Sequence, residues 1–309
     1  MKRLLALVAI NLSASIAFIA VAAQSSPPTV WVQVIVTDKS DRVVTSLGRD
    51  DFAILADEAP RDITVFSKNE LPMALALLFD VSGSMRKQLV PSRQASRLLI
   101  NEFVRGDRVN IISFDSTVSV SGTFLSNRAA IAASLDLPLT GAGVPCTPPN
   151  DKRPLGSRSE GLNSLPGGGT AMWDAVWCGV GELQRDSESI RKVMVIITDG
   201  MENSSRAKTD GVIRRAQAAG TLVYTVGFVG TEGRLVRNDG LLREFTQETG
   251  GRHFPLEDRD PVAPVFTRIG EELRGHYVLG FNPRSSGSTG KLQILVKPPG
   301  LNVRARTRY

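Results

Sequence analysis

The run Met73-Ala74-Leu75-Ala76-Leu77-Leu78-Phe79, closed at once by Asp80, constrains this chain more than any other feature. A stretch that is apolar at every position reads as a strand buried on both faces, and such strands belong to parallel sheets covered by helices. A second run, Val193-Met194-Val195-Ile196-Ile197, ends in Thr198-Asp199-Gly200. Strands are predicted at Ala74–Phe79, Val109–Phe114, Val193–Thr198 and Leu222–Phe228. Helices are predicted near Lys87–Phe103, Arg128–Leu135, Ala171–Leu183, Arg206–Ala219 and Leu241–Thr249. This alternation implies an α/β fold with a doubly wound, mostly parallel sheet. On the first helix Met85, Leu89, Ser96, Leu99 and Phe103 share a face at helical spacing, and Pro91 lies near its first turn, where a missing N–H costs least.

The polar residues that follow the apolar runs are the candidate site. Asp80-Val81-Ser82-Gly83-Ser84 occupies the turn between a buried strand and a helix. In open α/β sheets that turn, at the carboxyl end of a parallel strand, is where ligands bind. Carboxylate and hydroxyl oxygens suit a hard cation such as Mg²⁺. Gly167-Gly168-Gly169-Thr170 opens another helix, and Asp199 closes the second run, so three oxygen-bearing loops can meet at one end of one sheet. A blander alternative is that Ser82 and Ser84 cap the next helix and Asp199-Gly200 makes only a turn.

Taken in order, Asp80, Ser82, Ser84, Thr170 and Asp199 resemble the metal-ion-dependent adhesion site of the von Willebrand factor A domain. The resemblance covers roughly Leu71 to Arg274, and the flanks resemble those of bacterial secreted proteins that carry one such domain. It implies a Rossmann-like domain in which Ser82, Ser84 and Thr170 touch the metal while Asp80 and Asp199 act largely through hydrogen bonds and waters. Mg²⁺ is the expected ion, with Mn²⁺ or Ca²⁺ as substitutes. A metal with few charged ligands stays electrophilic and can accept a carboxylate from a protein partner.

Enzymatic readings fare worse. A phosphatase of the haloacid dehalogenase type needs a second Asp where Ser82 stands. A serine hydrolase needs G-x-S-x-G, which the sequence around Ser82 lacks. His253 and His276, the only imidazoles, read as structural, and no paired His/Cys spacing suggests zinc. No catalytic residue is assigned.

The first residues carry Lys2 and Arg3, then a mostly apolar segment, then the small-residue stretch Ala20-Val21-Ala22-Ala23. This reads as a signal peptide over residues 1–23, with a membrane anchor as the alternative. Export to the periplasm or the medium follows from the first reading, and no later stretch is apolar enough to span a bilayer. In an oxidising compartment Cys146 and Cys178 suggest a disulfide; two separate thiols are the alternative. The Gly- and Pro-rich stretch from Leu139 to Gly169 reads as a long loop rimming the site. The net charge of +6 is modest and no basic run interleaves with aromatics, which argues against nucleic acid. The Arg304–Arg308 stretch reads as a solvated strand face.

Residues 24–70 and 275–309 are β-rich. Val30 to Thr37 alternates, as do Leu292–Val296 and Leu301–Ala305, and further strands are predicted at Phe52–Leu55, Ile63–Phe66 and Tyr277–Phe281. Strands with one apolar face and no partner helix need each other, so the flanks are expected to pair across the base of an A domain spanning residues 71–274. The functional expectation is an exported module that binds an acidic group of a protein partner through a divalent cation. The alternative is a structural or assembly component of the cell envelope that uses the metal only for stability. Neither the partner nor the oligomeric state is legible.

Overall fold

The computed structural model describes residues 29–68, 70–103, 106–136, 143–148, 169–229, 239–257, 259–284 and 289–309. The predicted signal segment and most of the long loop before Thr170 lie outside the described residues. The N-terminal flank supplies β1 (Val30–Thr37), β2 (Phe52–Ala56), β3 (Ala59–Arg61) and β4 (Val65–Lys68). The central part runs β5 (Met73–Asp80), α1 (Arg86–Asn101), β6 (Arg108–Phe114), β7 (Val118–Val120), α2 (Arg128–Asp136), β8 (Val144–Cys146) and α3 (Met172–Arg185). It continues with β9 (Arg191–Thr198), α4 (Thr209–Ala218), β10 (Thr221–Val229), α5 (Asp239–Thr249), β11 (Arg252–Glu257) and α6 (Ala263–Gly275). The C-terminal flank supplies β12 (Tyr277–Phe281), β13 (Leu292–Val296) and β14 (Asn302–Arg304).

The central sheet has seven strands in the order β11-β10-β9-β5-β6-β7-β8. β11, β10, β9, β5 and β6 are parallel, and β7 and β8 extend the sheet antiparallel. Side chains alternate across a strand, and β5 shows the consequence. Leu75, Leu77 and Phe79 join the core under α1, α2 and α6, with Leu99, Ile131, Phe266 and Leu273. Ala74, Ala76 and Leu78 join the core under α3, α4 and α5, with Val176, Val212 and Phe245. The sheet is thus covered on both faces, as its continuous apolar strands require.

The flanks form two further antiparallel sheets, ordered β14-β1-β12-β4 and β13-β2-β3. β1 lies between two C-terminal strands, pairing Val32 with Leu279 on one side and Val36 with Val303 on the other. β12 in turn lies between N-terminal strands β1 and β4, and β13 pairs with β2. Neither flank completes a sheet alone. The two sheets close on a third core that includes Val32, Val34, Val36, Ile54, Leu279 and Ile294, with Phe52 and Tyr277 ring centroids 4.9 Å apart.

Four local expectations change. β1 does not have one apolar face: Val32 to Thr37 are all buried, and Ile35 belongs to the central core rather than to the flank core. The second face is covered because β1 lies across the amino ends of the central strands, where Gln33 Nε2 donates to Lys192 O at 2.8 Å and Gly220 O at 3.0 Å. On the Arg304–Arg308 face Arg308 is exposed as expected, but Arg304 is half-buried and Arg306 is buried. Arg304 donates to Gly251 O at 3.0 Å and pairs with the buried Glu272; Arg306 is 7% exposed and donates to Trp31 O at 2.8 Å. Asp57-Glu58-Ala59-Pro60, which reads from sequence as the break between two strands, instead puts Pro60 in β3, which an edge strand tolerates. α6, unassigned from sequence, starts with Pro264 in its first turn, where the lost N–H is harmless.

Candidate metal centre

β5 ends on Asp80, whose carboxylate has no exposed surface. Val81 N donates to Phe114 O at 2.8 Å, fixing the exit from β5 against the end of β6. Asp80 Oδ1 accepts from Ser82 N at 3.0 Å, and Oδ2 accepts from Thr198 Oγ1 at 2.8 Å. The carboxylate therefore ties its own loop to the end of β9. Burial pushes the Asp80 carboxyl up to about 6 against the lowering pull of the hydrogen bonds from Ser82 and Thr198, and the Asp199 charge adds to the rise.

Beyond Asp80 the chain makes a single tight turn over Gly83–Met85, closed by Met85 N donating to Ser82 O at 3.1 Å, and then enters α1. The Ser82 and Ser84 hydroxyls lie 3.2 Å apart. Neither the turn at Ser82 nor the start of α1 at Met85 has a side-chain cap hydrogen bond. The capping alternative for these serines therefore has no contact behind it.

Thr198 and Asp199 sit at the end of β9. Gly200 N donates to Thr198 Oγ1 at 3.0 Å, so that hydroxyl relays between Asp80 and the loop. Asp199 Oδ1 accepts from Met201 N at 2.9 Å, and Gly200 takes the left-handed φ of 74° that the reversal demands. The turn foreseen at Asp199-Gly200 exists, and it aims the half-buried carboxylate rather than replacing it as a candidate.

Thr170 is placed by its backbone. Its N donates to Asn203 Oδ1 at 2.9 Å, and its carbonyl accepts from Asn203 N and Ser204 N, each at 3.1 Å. Next to it Ala171 N donates to Asp115 O at 2.6 Å, beyond the end of β6. Asp80, Ser82, Ser84 and Asp199 thus meet around two adjacent strand ends. Thr170 reaches the same edge from a third loop, with no side-chain hydrogen bond to the other four. Sequence reasoning passed over Thr198 and Asn203; the place of Thr198 beside Asp199 at a strand end was the available signal for the first.

No group of three or more His, Cys, Asp or Glu able to hold a metal occurs among the described residues. A hydroxyl-rich set with two carboxylates falls outside that pattern. Cys146 and Cys178 are joined as a disulfide with a Cα–Cα distance of 6.3 Å, stitching β8 at the sheet edge to α3. Trp173 packs edge-on against Phe245 in the core, whereas Trp177 carries Arg215 over its ring at 4.0 Å.

The two histidines are buried. His276 lies 3.5 Å from Arg191, and complete burial holds its pKa well below 6.5. His253 sits between Thr225 Oγ1 at 2.6 Å and Asp239 Oδ1 at 2.7 Å. This hydroxyl–imidazole–carboxylate chain resembles a nucleophile relay in order only: Thr225 is 0% exposed within β10, closed to any substrate.

The family model of the von Willebrand factor type A domain matches residues 150–263. That match and the architecture support the von Willebrand factor type A family. The matched span contains Thr170 and Asp199 and leaves Asp80, Ser82 and Ser84 to the geometry above. Among solved structures, an aerotolerance-related membrane protein from Bacteroides fragilis is 16% identical, with a TM-score of 0.47 over 65% of this chain and 98% of its own. A von Willebrand factor type A protein from Catenulispora acidiphila is 14% identical, with a TM-score of 0.49 over 92% of this chain and 73% of its own. Proximal thread matrix protein 1 from the mussel byssus, with a zinc-occupied MIDAS motif, is 14% identical, with a TM-score of 0.50 over 71% of this chain and 49% of its own. At 14% identity the likeness to the byssus protein speaks for the fold alone. No curated protein matches by sequence. Type A domains commonly mediate protein–protein interactions, and many bind a divalent metal.

Proposed function

We propose that this chain is an exported, divalent-cation-dependent binding module that engages an acidic group of a protein partner through Asp80, Ser82, Ser84, Thr170 and Asp199. One observation carries the reading. A carboxylate without exposed surface, Asp80, underlies two hydroxyls 3.2 Å apart, and the charge bearing on it is that of another carboxylate, Asp199. Buried charge is costly unless it is paired, and a cation at this edge would supply the missing countercharge. The residues therefore fit a hard divalent ion, with Mg²⁺ the first choice.

Ser82, Ser84 and Thr170 would hold the ion through hydroxyl oxygens, while Asp80 and Asp199 orient those hydroxyls and the coordinated waters. When bound, the ion would supply an electrophilic position for a partner's carboxylate oxygen. The protein's part is to hold the hydroxyls without adding anionic ligands. Thr198 contributes by locking Asp80 to β9, so that the loops after β5 and β9 keep one spacing. Export is supported by the signal-like start and by the Cys146–Cys178 disulfide, which persists in oxidising compartments. No helix among the described residues is long and apolar enough to cross a membrane.

The test is capture of an envelope partner with Mg²⁺, with chelator, and with Asp80→Asn, alongside a Mg²⁺ titration of the free protein. Retention with Mg²⁺ alone is expected. Equal retention in chelator would overturn the reading. A metal-induced rise in melting temperature with no metal-dependent capture would move the conclusion to a structural component of the envelope.

A further inference from the structure

We propose that Asn203 is a positioning residue of this metal centre, fixing Thr170 to the loop that carries Asp199; the inference rests on the metal-binding reading above. Thr170 precedes α3 and belongs to no strand or helix, so no regular element holds it. A metal-binding constellation must nevertheless be kept within about 0.5 Å of its working geometry. The backbone bonds around Asn203 do that work. Asn203 uses both its side chain and its backbone on one residue: Oδ1 accepts Thr170 N at 2.9 Å, and N donates to Thr170 O at 3.1 Å. Ser204 Oγ donates to Asn203 Oδ1 at 2.9 Å, which orients the amide with its oxygen toward Thr170.

Two independent contacts make this a clamp. A Cβ on Gly169 would stand 2.3 Å from Ser204 Oγ and 3.4 Å from Asn203 Oδ1, so the chain entering Thr170 lies directly on the 203–204 segment. The segment is itself held by Glu202, whose carboxylate accepts from Ser204 N at 3.1 Å, Ser205 N at 2.8 Å, Ser205 Oγ at 2.7 Å and Trp173 N at 3.2 Å. Glu202 and Asn203 thus tie Thr170 to the same loop that carries Asp199. The backbone of Thr170 is thereby anchored to a loop that begins at Asp199, although the two residues come from separate segments.

Asn203 is exposed. Truncating it opens no cavity in the core, so its loss should appear in metal affinity and not in stability. Calorimetric titration of the full chain with Mg²⁺ tests this for wild type, Asn203→Ala and Asn203→Asp, with melting temperatures measured in chelator. Asn203→Ala should weaken Mg²⁺ by about tenfold, the lower end for residues that orient metal ligands, at an unchanged metal-free melting temperature. Asn203→Asp keeps the acceptor and should recover most of the affinity lost in Asn203→Ala. If wild type binds Mg²⁺ and Asn203→Ala binds it equally, the positioning role is wrong while the metal reading stands. Loss of affinity in both variants would overturn the acceptor role assigned to Oδ1. A fall in metal-free melting temperature that accounts for the lost affinity would make Asn203 merely structural. No Mg²⁺ binding by wild type would sink the metal reading itself, and this inference with it.

Discussion

The two ends of the seven-stranded sheet are built on opposite terms. At the amino ends of β9, β10 and β11 the flank unit docks. Ile35 of β1 enters the central core, Gln33 bonds to Lys192 and Gly220, and Arg304 and Arg306 are drawn inward. At the carboxyl ends of β5 and β9 stand Asp80, Ser82, Ser84 and Asp199, and the hydroxyls are not spent on helix caps. One end buries apolar surface and ties Gln33, Arg304 and Arg306 to backbone carbonyls. The other keeps a buried carboxylate beside a second carboxylate. Changes at the docked end should therefore cost folding, whereas changes at the polar end should cost ligand and leave the fold standing.

The sharpest way to break this contrast is to delete Gly275–Tyr309, which removes β12, β13 and β14. β1 then loses both neighbours, and the burial of Val32, Val34 and Val36 is lost at roughly 1.5–3 kcal/mol each. That total approaches the whole stability of an ordinary domain. Amide exchange should show Val30–Thr37 unprotected; a strand that stays protected would mean the flanks are independent. Next in size is the disulfide. Joining residues 32 apart is worth about 3–4 kcal/mol in the chain-entropy model. Denaturant melts of the Cys146→Ser/Cys178→Ser double variant should show a loss of that order, and an unchanged midpoint would rule out a stabilising bridge.

At the polar end the expected effect is on binding. Asp80→Asn should lower Mg²⁺ affinity about 10–100-fold without lowering the metal-free melting temperature, since removing an unpaired buried charge relieves a cost. Affinity equal to wild type in calorimetry would dissolve the site. The smallest effect returns to the docked end. His276, buried and facing Arg191, stays neutral when folded but takes up a proton near 6.5 when unfolded. Protons therefore favour the unfolded chain, and stability should fall by up to about 1.4 kcal/mol per pH unit as pH drops below 6.5. His276→Gln should flatten that slope in melts across pH 7 to 5; an identical slope would assign it to other groups.

Much of the central domain was legible because its signals are local. The apolar runs of β5 and β9 require two covered faces wherever they lie, and Asp80 and Asp199 follow them directly. Short antiparallel pieces were not legible. β7 and β8 are three-residue strands that exist by pairing with β6 and each other. β4 lies two residues beyond its predicted position because its register is set by Tyr277–Gly280 of β12, not by its own pattern.

Local signals are enough to read the parallel α/β domain, the oxygen-bearing loops and their order, and the β-rich flanks, because burial periodicity and turn chemistry act over a few residues. Which polar groups are spent and which are spare depends on how distant parts of the chain come together. Alternation in Val30–Thr37 and in Arg304–Arg306 reads the same whether one face meets water or another sheet, and in both places another part of the chain covers at least part of it. Likewise nothing local in Asn203 announces that it holds Thr170, since hydrogen bonds between residues 33 apart depend on where two loops come to rest.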